Sequence, residues 1–300
     1  MKPLMLLTAA LAAIATPLSV AAPAAAQEVA LHDHIRTTLH GDAGPVVVLI
    51  PGMSTPDEVW DDAVAELRDT HRVLTVEVRG FDGERGTVNE AEGALDGIVA
   101  DLSLDLAQRG LGPATIAGHS LGGLLAMQFG LDHADQAKNL LILDSLPFFG
   151  TVFGGDQTLE TIKPQADQMR DMVIAGADQM RAMGVEGTTS GAGAAGMSVD
   201  EATRVRIANW TLDAEPLVVA RLVHEDMMLD LRQEIAALEM PVTVIHFADG
   251  DLAQMAVDRY ATDYAALGHV RIVPVDNSRH FVQLDRPEVF LAELRALAAR

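Results

Sequence analysis

The stretch IAGHSLGGLLAMQFG, residues 116–130, places Ser120 between a histidine and a leucine, with Gly118 and Gly122 two positions away on either side. An apolar run precedes this stretch, and helix-forming residues follow the serine. A glycine-rich turn between a strand and a helix would account for the pattern. So would a nucleophile held at a tight corner, because glycines leave room for a strained backbone. The rest of the chain decides between the two interpretations.

The composition limits the folds and the binding partners that are expected for this chain. The chain has 300 residues, of which 49% are apolar and 4% aromatic, so it can bury a core as one large α/β domain with an insertion or as two small domains. Its formal net charge of −22 argues against nucleic acid and anionic membranes as partners and disfavours anionic substrates. There is no cysteine, so no disulfide can stabilise the chain.

The first residues are typical of a signal peptide. Lys2 is followed by an apolar, alanine-rich run without a charge until Glu28, and Ala24–Ala26 supply the small residues of a cleavage site. Prolines that interrupt the run make a transmembrane anchor the weaker interpretation. We therefore expect residues 1–26 to be removed, leaving a periplasmic or secreted chain that begins near Gln27 and is not stably inserted in a membrane.

After this leader, predicted strands and helices alternate. The β-branched run PVVVLIPG (45–52) predicts a strand buried on both faces. Thr55 and Glu58 predict the capped start of a helix with Trp60 on its apolar face, and ALDGIVADLSLDLAQRG (94–110) predicts a second helix that ends at its glycine. Such alternation indicates a mostly parallel sheet with helices on both faces.

One long segment interrupts the alternation. Residues 146–236 contain no clear buried strand and are predicted to form helices, with a mobile stretch, VEGTTSGAGAAG, between them. We expect them to form a helical cap inserted into a core made of residues 27–145 and 237–300.

Ser120 has the features of a nucleophile elbow, since G-x-S-x-G lies between a predicted strand and a predicted helix. A serine hydroxyl needs a base, and a base needs an orienting acid. His280, in the loop after the last predicted strand, is the candidate base, whereas His246 lies inside a strand and is expected to pack or to line a pocket wall. The pair His32 and His34 could bind a metal, but a solvated pair is the favoured interpretation.

Together these residues resemble the α/β-hydrolase superfamily. The resemblance rests on IPGMSTPDEVW, VEVRGFDG, AGHSLGG, LLILDSLPFF, PVTVIHFAD and DNSRHFVQLDRPEVF, and it covers nearly all of the chain after the leader. Within the superfamily, the chain is similar to exported bacterial serine hydrolases. The resemblance implies an α/β-hydrolase fold, with a mostly parallel central sheet flanked by helices and with an inserted helical cap.

The resemblance also implies the remaining site residues. The backbone N–H groups of Leu121 and Met53 would form the oxyanion hole. The acid usually follows the penultimate core strand, which offers Asp249 and Asp251, whereas some relatives place it where Asp144 stands. Asp249 comes directly after the strand, so we favour it, with Asp251 second and Asp144 third.

A serine at the elbow predicts acyl transfer through an acyl-enzyme intermediate, and hydrolysis of a carboxylic ester of a small, largely apolar molecule is the leading hypothesis. A polyester depolymerase, a lactonase, a carbon–carbon bond hydrolase, a perhydrolase and a non-catalytic binding protein of the same fold are the alternatives. No phosphate-binding loop or H-E-x-x-H motif occurs, so we expect neither a cofactor nor a metal. The sequence leaves the oligomeric state open.

Six methionines of the predicted cap allow two interpretations. They fill a core, as methionine commonly does, or they form an adaptable apolar ceiling over the acyl pocket. The second interpretation predicts that uncharged, medium-sized acyl groups are preferred over anionic ones. The residues are Met169, Met172, Met180, Met183, Met227 and Met228.

Overall fold

The computed structural model of this chain describes residues 28–154, 156–185, 187–250 and 253–300. The predicted signal peptide and Asp251 therefore lie outside the described residues. The strands are β1 (Glu28–Leu31), β2 (Ile35–His40), β3 (Val46–Ile50), β4 (Arg72–Val78), β5 (Ala114–His119), β6 (Ala137–Leu143), β7 (Val242–Phe247) and β8 (Arg271–Val275).

These strands form a single sheet in the order β1-β2-β4-β3-β5-β6-β7-β8. All neighbouring pairs from β4 to β8 are parallel, while β1 and β2 add an antiparallel edge next to β4. The predicted mostly parallel sheet is confirmed. The antiparallel edge was not predicted, because β1 and β2 are short and lack the continuous apolar run that marks a central strand.

Helices cover both faces of the sheet. They are α1 (Asp61–Leu67), α2 (Ala94–Arg109), α3 (Leu121–Asp132), α4 (Leu159–Ala182), α5 (Glu201–Asp213), α6 (Pro216–Met228), α7 (Ala253–Asp263), α8 (Val282–Asp285) and α9 (Pro287–Ala298). Successive residues of β3 enter opposite cores, Val48 and Ile50 into one and Val47 and Leu49 into the other. Burial on both faces explains why this strand is apolar throughout.

The segment after β3 differs from its prediction. A short 3-10 turn, Asp57–Trp60, precedes α1, and no side chain caps it. Instead, the backbone N–H of Asp57 donates to the carboxylate of Glu77 at 2.6 Å. Trp60 is fully buried, as expected of its place on the predicted apolar face, and packs on Phe290 with ring centres 5.7 Å apart.

Three α-helices and no strand lie between β6 and β7 in the described part of the chain. α4 and α6 pack on each other, with Phe148, Ile162, Ala166 and Met227 buried between them and the neighbouring loop. The second predicted helical run is divided in two, because α5 ends before Pro216 and a proline cannot continue the hydrogen-bond ladder. None of the described helices is long and apolar enough to cross a bilayer.

Candidate active site

Ser120 stands at the corner between β5 and α3. Its backbone angles, φ 53° and ψ −121°, lie in a region that residues other than glycine rarely adopt. Three backbone hydrogen bonds hold it there. Its N–H donates to Leu143 O at 2.9 Å, and its carbonyl accepts from Gly123 and Leu124 at 2.8 and 3.2 Å. This is the strained strand-to-helix turn expected of a nucleophile elbow.

The glycines of the elbow are required by close backbone approach. A Cβ atom on Gly118 would overlap the backbone of Gly122, and one on Gly122 would overlap the carbonyl oxygens of Ile50 and Pro51. The first residues of α3 therefore pass directly against the end of β3. Any larger residue at either position would displace the serine.

The two predicted oxyanion donors lie beside the serine. A Cβ atom on Gly52 would stand 2.8 Å from His119 Nδ1 and 3.2 Å from Ser120 Cβ, so the chain carrying Met53 runs next to the elbow. Leu121 is the first residue of α3. Neither amide donates to a backbone carbonyl among the described residues. Free N–H groups here can hold a developing negative oxygen, and the positive end of the α3 dipole adds to the effect.

His280 is paired with Asp144. Its Nδ1 lies 2.6 Å from Asp144 Oδ2, and the side chain of Asp144 is only 4% exposed. Asp144 Oδ1 accepts from the Tyr260 hydroxyl at 2.9 Å and from the Phe247 N–H at 3.4 Å. A carboxylate fixed in this way holds the proton on Nδ1 and leaves Nε2 of the imidazole available as a base.

The expectation that Asp249 contacts the histidine is wrong. Asp249 is 28% exposed and faces Arg279, with a carboxylate–guanidinium distance of 3.7 Å. The reason is the register of the sheet: the Asp144 N–H donates to Ile245 O at 2.7 Å, and β7 continues for two more residues, which carries Asp249 beyond the site. The third-ranked candidate, Asp144, is the one in contact, and Asp251 lies outside the described residues.

Two further histidines support the site without entering it. His119 is buried, and burial lowers its pKa well below the ordinary value, so the neutral ring donates to the His280 carbonyl at 2.9 Å. Its ring also packs on Phe281, with centres 4.5 Å apart. His246 stacks flat on Tyr260 at 4.2 Å inside the protein, as expected of a packed strand residue.

Ser120, His280 and Asp144 line one cavity of about 190 Å³. No hydrogen bond joins the Ser120 hydroxyl to His280 among the described residues, although such contacts often tighten only when substrate binds. The rest of the wall is mostly apolar and includes Leu121, Leu146, Phe149, Val152, Phe247 and Met255. The cavity therefore suits a small molecule with a largely apolar surface.

The methionine ceiling is not formed. None of the six methionines lines this cavity. Met172 and Met183 are 51% and 63% exposed, and Met227 is buried against α4. The methionine that does line the cavity, Met255, lies on α7, outside the inserted segment.

His32 and His34 are not a solvated pair. His32 Nε2 lies 3.0 Å from Asp105, and His34 Nδ1 lies 2.7 Å from Asn89. The two rings thus have separate protein partners. Within the described residues, no group of three or more potential ligands is arranged to hold a metal ion.

Two site residues, Tyr260 and Asp226, were not predicted. Tyr260 lies on the buried face of α7, and the sequence pattern of a helix does not distinguish an aromatic ring that fills the core from one whose hydroxyl donates to a buried carboxylate. Asp226 lies in the last turn of α6 and lines the cavity. An acid on an amphipathic helix normally indicates a solvated face, so the sequence did not single out Asp226.

Comparison with known proteins identifies a family and relatives that this chain is similar to. The model of the alpha/beta hydrolase family matches residues 47–293. A pimeloyl-(acyl-carrier protein) methyl ester esterase of Aeromonas hydrophila is 31% identical over 106 residues, 35% of this chain and 40% of that protein. The enzyme of the same name from Aliivibrio salmonicida is 25% identical over 253 residues, 84% of this chain and 91% of that protein.

Several curated relatives, including the Aeromonas enzyme, are matched over only about two fifths of their length. Among solved structures, a hydrolase from Pseudomonas aeruginosa superposes with a TM-score of 0.71 and 18% identity, covering 92% of this chain and all of that one. At this identity the likeness concerns the fold.

Proposed function

The chain belongs to the alpha/beta hydrolase family, and we propose that it hydrolyses carboxylic esters of small, largely apolar molecules through an acyl-enzyme intermediate. The observation that carries the proposal is the hydrogen bond of 2.6 Å between His280 and Asp144, in the same cavity as the strained Ser120. A complete serine, histidine and aspartate set also favours an enzyme over a non-catalytic binding protein.

The reaction follows from the positions of these groups. Ser120 Oγ attacks the carbonyl carbon while His280 Nε2 accepts its proton, and Asp144 stabilises the imidazolium. The N–H groups of Leu121 and Met53 hold the negative oxygen of the tetrahedral intermediate. His280 then returns the proton to the departing alcohol. Water, deprotonated by His280, attacks the acyl-enzyme, and the carboxylic acid leaves as Ser120 regains its proton.

The segment 146–236 would act as a cap over this reaction. Leu146, Phe149, Val152 and Asp226 belong to it and line the cavity. An apolar wall favours apolar groups on the substrate, and the net charge of −22 repels anions. We therefore expect neutral esters to react faster than anionic ones of the same shape.

The proposal is tested by Ser120→Ala. Hydrolysis of short aryl esters should fall by at least about 10⁴-fold, because the nucleophile is lost while the fold remains, as circular dichroism would show. A fluorophosphonate should label the wild type on Ser120 and leave the variant unlabelled. Esterase activity that survives in the variant would contradict the assignment.

We also infer that the chain is exported, on the evidence of the charge and apolar pattern of its first residues. Expression of the full chain in a bacterium, followed by fractionation and N-terminal sequencing, tests this. The expected product starts near Gln27 and lies in the periplasm or medium. A cytoplasmic product that retains residues 1–26 would contradict it.

A further inference from the structure

Asp226 differs from its neighbours on α6. His224 pairs with Asp167 at 3.0 Å, and Glu225 accepts from the backbone N–H of Leu95 at 3.0 Å. The carboxylate of Asp226 has no hydrogen-bond partner among the described residues, and it faces the cavity that holds the reacting groups. Its two neighbours thus hold the helix in place, whereas Asp226 contributes nothing comparable to the fold.

The position of Asp226 is also unfavourable for an anion. It lies in the last turn of α6, where the negative end of the helix dipole disfavours a carboxylate. Burial raises its pKa to about 7, although the nearby His280 opposes this shift. Asp226 is only partly buried at the wall of this cavity, so its carboxylate is accessible to a ligand that carries the opposite charge.

The surroundings of Asp226 indicate the charge of that partner. The rings of Phe149 and Phe247 line the same cavity. Aromatic faces combined with a carboxylate are the chemistry that recognises an ammonium group. Arg259 also lines the cavity and would favour an anion, but the rings and the strongly negative protein both favour a cation.

We propose that Asp226 and these aromatic rings bind an ammonium group of the substrate, so that the preferred esters carry a positive charge a few bonds from the scissile carbonyl. The inference rests on the proposed esterase function and deepens it by naming a substrate class. Asp226 is a specificity residue in this scheme, since it contacts the substrate but takes no part in bond making.

The kinetic test uses two esters of the same shape. Butyrylcholine carries a trimethylammonium group where 3,3-dimethylbutyl butyrate carries a tert-butyl group. For the wild type, kcat/KM should favour the charged ester by about tenfold, an effect on KM that reflects a charge pair at partial burial. Asp226→Asn should abolish the preference, and Asp226→Glu should restore part of it. If the ratio of the kcat/KM values for the two esters were the same in the wild type and in Asp226→Asn, the proposal would be overturned.

Glu225→Gln is the matched control, because it removes the same charge one residue away and outside the cavity. In this variant the ratio of kcat/KM for the charged and the neutral ester should stay within about twofold of the wild-type ratio, since a charge held outside the cavity is screened. A loss as large as that in Asp226→Asn would mean that the general field of the protein, not a bound ammonium, sets the preference, and would overturn the proposal.

A binding test separates this inference from the esterase proposal. In Ser120→Ala, calorimetry should show choline binding about tenfold more tightly than 3,3-dimethylbutanol, and Asp226→Asn in that background should remove the difference. If this binding result were obtained but the wild type hydrolysed no ester, the cation site would be supported and the proposed reaction would be contradicted. Equal binding of the two alcohols would overturn the cation site, whatever the turnover.

Discussion

Two aspartates end neighbouring parallel strands of this sheet, and only one of them belongs to the site. Asp144, after β6, is 4% exposed and accepts hydrogen bonds from His280, Tyr260 and the Phe247 amide. Asp249, after β7, is 28% exposed and faces Arg279 at 3.7 Å. A position after the carboxyl end of a strand is therefore not sufficient to bring an acid to His280. Its level along the strand direction, relative to Ser120, decides whether it reaches the histidine.

The register gives that level. His119 of β5 pairs with Leu143 of β6, and Leu143 pairs with Ile245 of β7. The next residue on each strand brings Ser120, Asp144 and His246 to one level across the sheet. Asp249 comes three residues after His246, up to about 10 Å farther along an extended chain. The side chain at the right level on β7 is a histidine, which leaves the role of the acid to β6.

The variant Asp144→Asn is the most direct test of the difference between the two aspartates. An amide keeps the shape but no longer selects the Nδ1-protonated tautomer of His280, so kcat/KM should fall by about 10³–10⁴-fold. Ester hydrolysis and thermal unfolding of the variant would be measured together. A rate near that of the wild type, in a protein with an unchanged Tm, would show that another group orients the histidine.

Tyr260→Phe tests whether the donors around Asp144 matter. The ring and its stacking on His246 remain, but the hydrogen bond of 2.9 Å to the carboxylate is lost. A hydrogen bond to a charged group of this kind predicts a drop of about tenfold in kcat. Tyr264→Phe is the control, because that hydroxyl donates to the Ser145 carbonyl instead, and its kcat should stay within about twofold. Equal losses in both variants would indicate a packing effect.

Glu77 extends the comparison to a buried carboxylate with one partner. Its Oε2 accepts from the Asp57 amide, its Oε1 has no partner within the described residues, and burial raises its pKa to about 9. Between the unfolded pKa of about 4.5 and this value, only the folded state holds the proton. Stability should therefore decrease as the pH rises through that window.

Glu77→Gln removes this titration, so its free energy of unfolding at pH 9 should exceed that of the wild type by about 1 kcal/mol or more. Urea unfolding at pH 6 and pH 9 measures the difference. The exposed Glu160→Gln variant should keep the pH dependence of the wild type. Parallel pH profiles for wild type and Glu77→Gln would contradict the assignment of a buried neutral acid.

The smallest effect is expected from Asp249→Asn. This carboxylate is partly exposed and lies 3.7 Å from a single guanidinium, so kcat/KM should remain within about twofold of the wild type. Assays under the conditions used for Asp144→Asn make the pair comparable. A loss for Asp249→Asn that exceeds the loss for Asp144→Asn would reverse the roles of the two strands.

The sequence predicted what depends on local pattern. The parallel sheet follows from continuous apolar runs, and Ser120 and His280, which line one cavity, could be predicted together because an elbow and a loop after the last strand have local signatures. The choice between Asp144 and Asp249 depends on sheet register, which neither strand encodes alone. Asp226 was missed because its environment is created by residues from distant parts of the chain.

The backbone hydrogen bonds that hold Ser120 have a consequence for thermal unfolding and for substrate binding. Hydrogen bonds to β6 and α3 hold the backbone of Ser120 at a positive φ, so the serine proposed as the nucleophile does not have to be ordered when a substrate binds. Its preorganisation depends on two adjacent inner strands of the sheet, β5 and β6. The reactive geometry and the cooperative unfolding of the central sheet should therefore be lost in the same thermal transition.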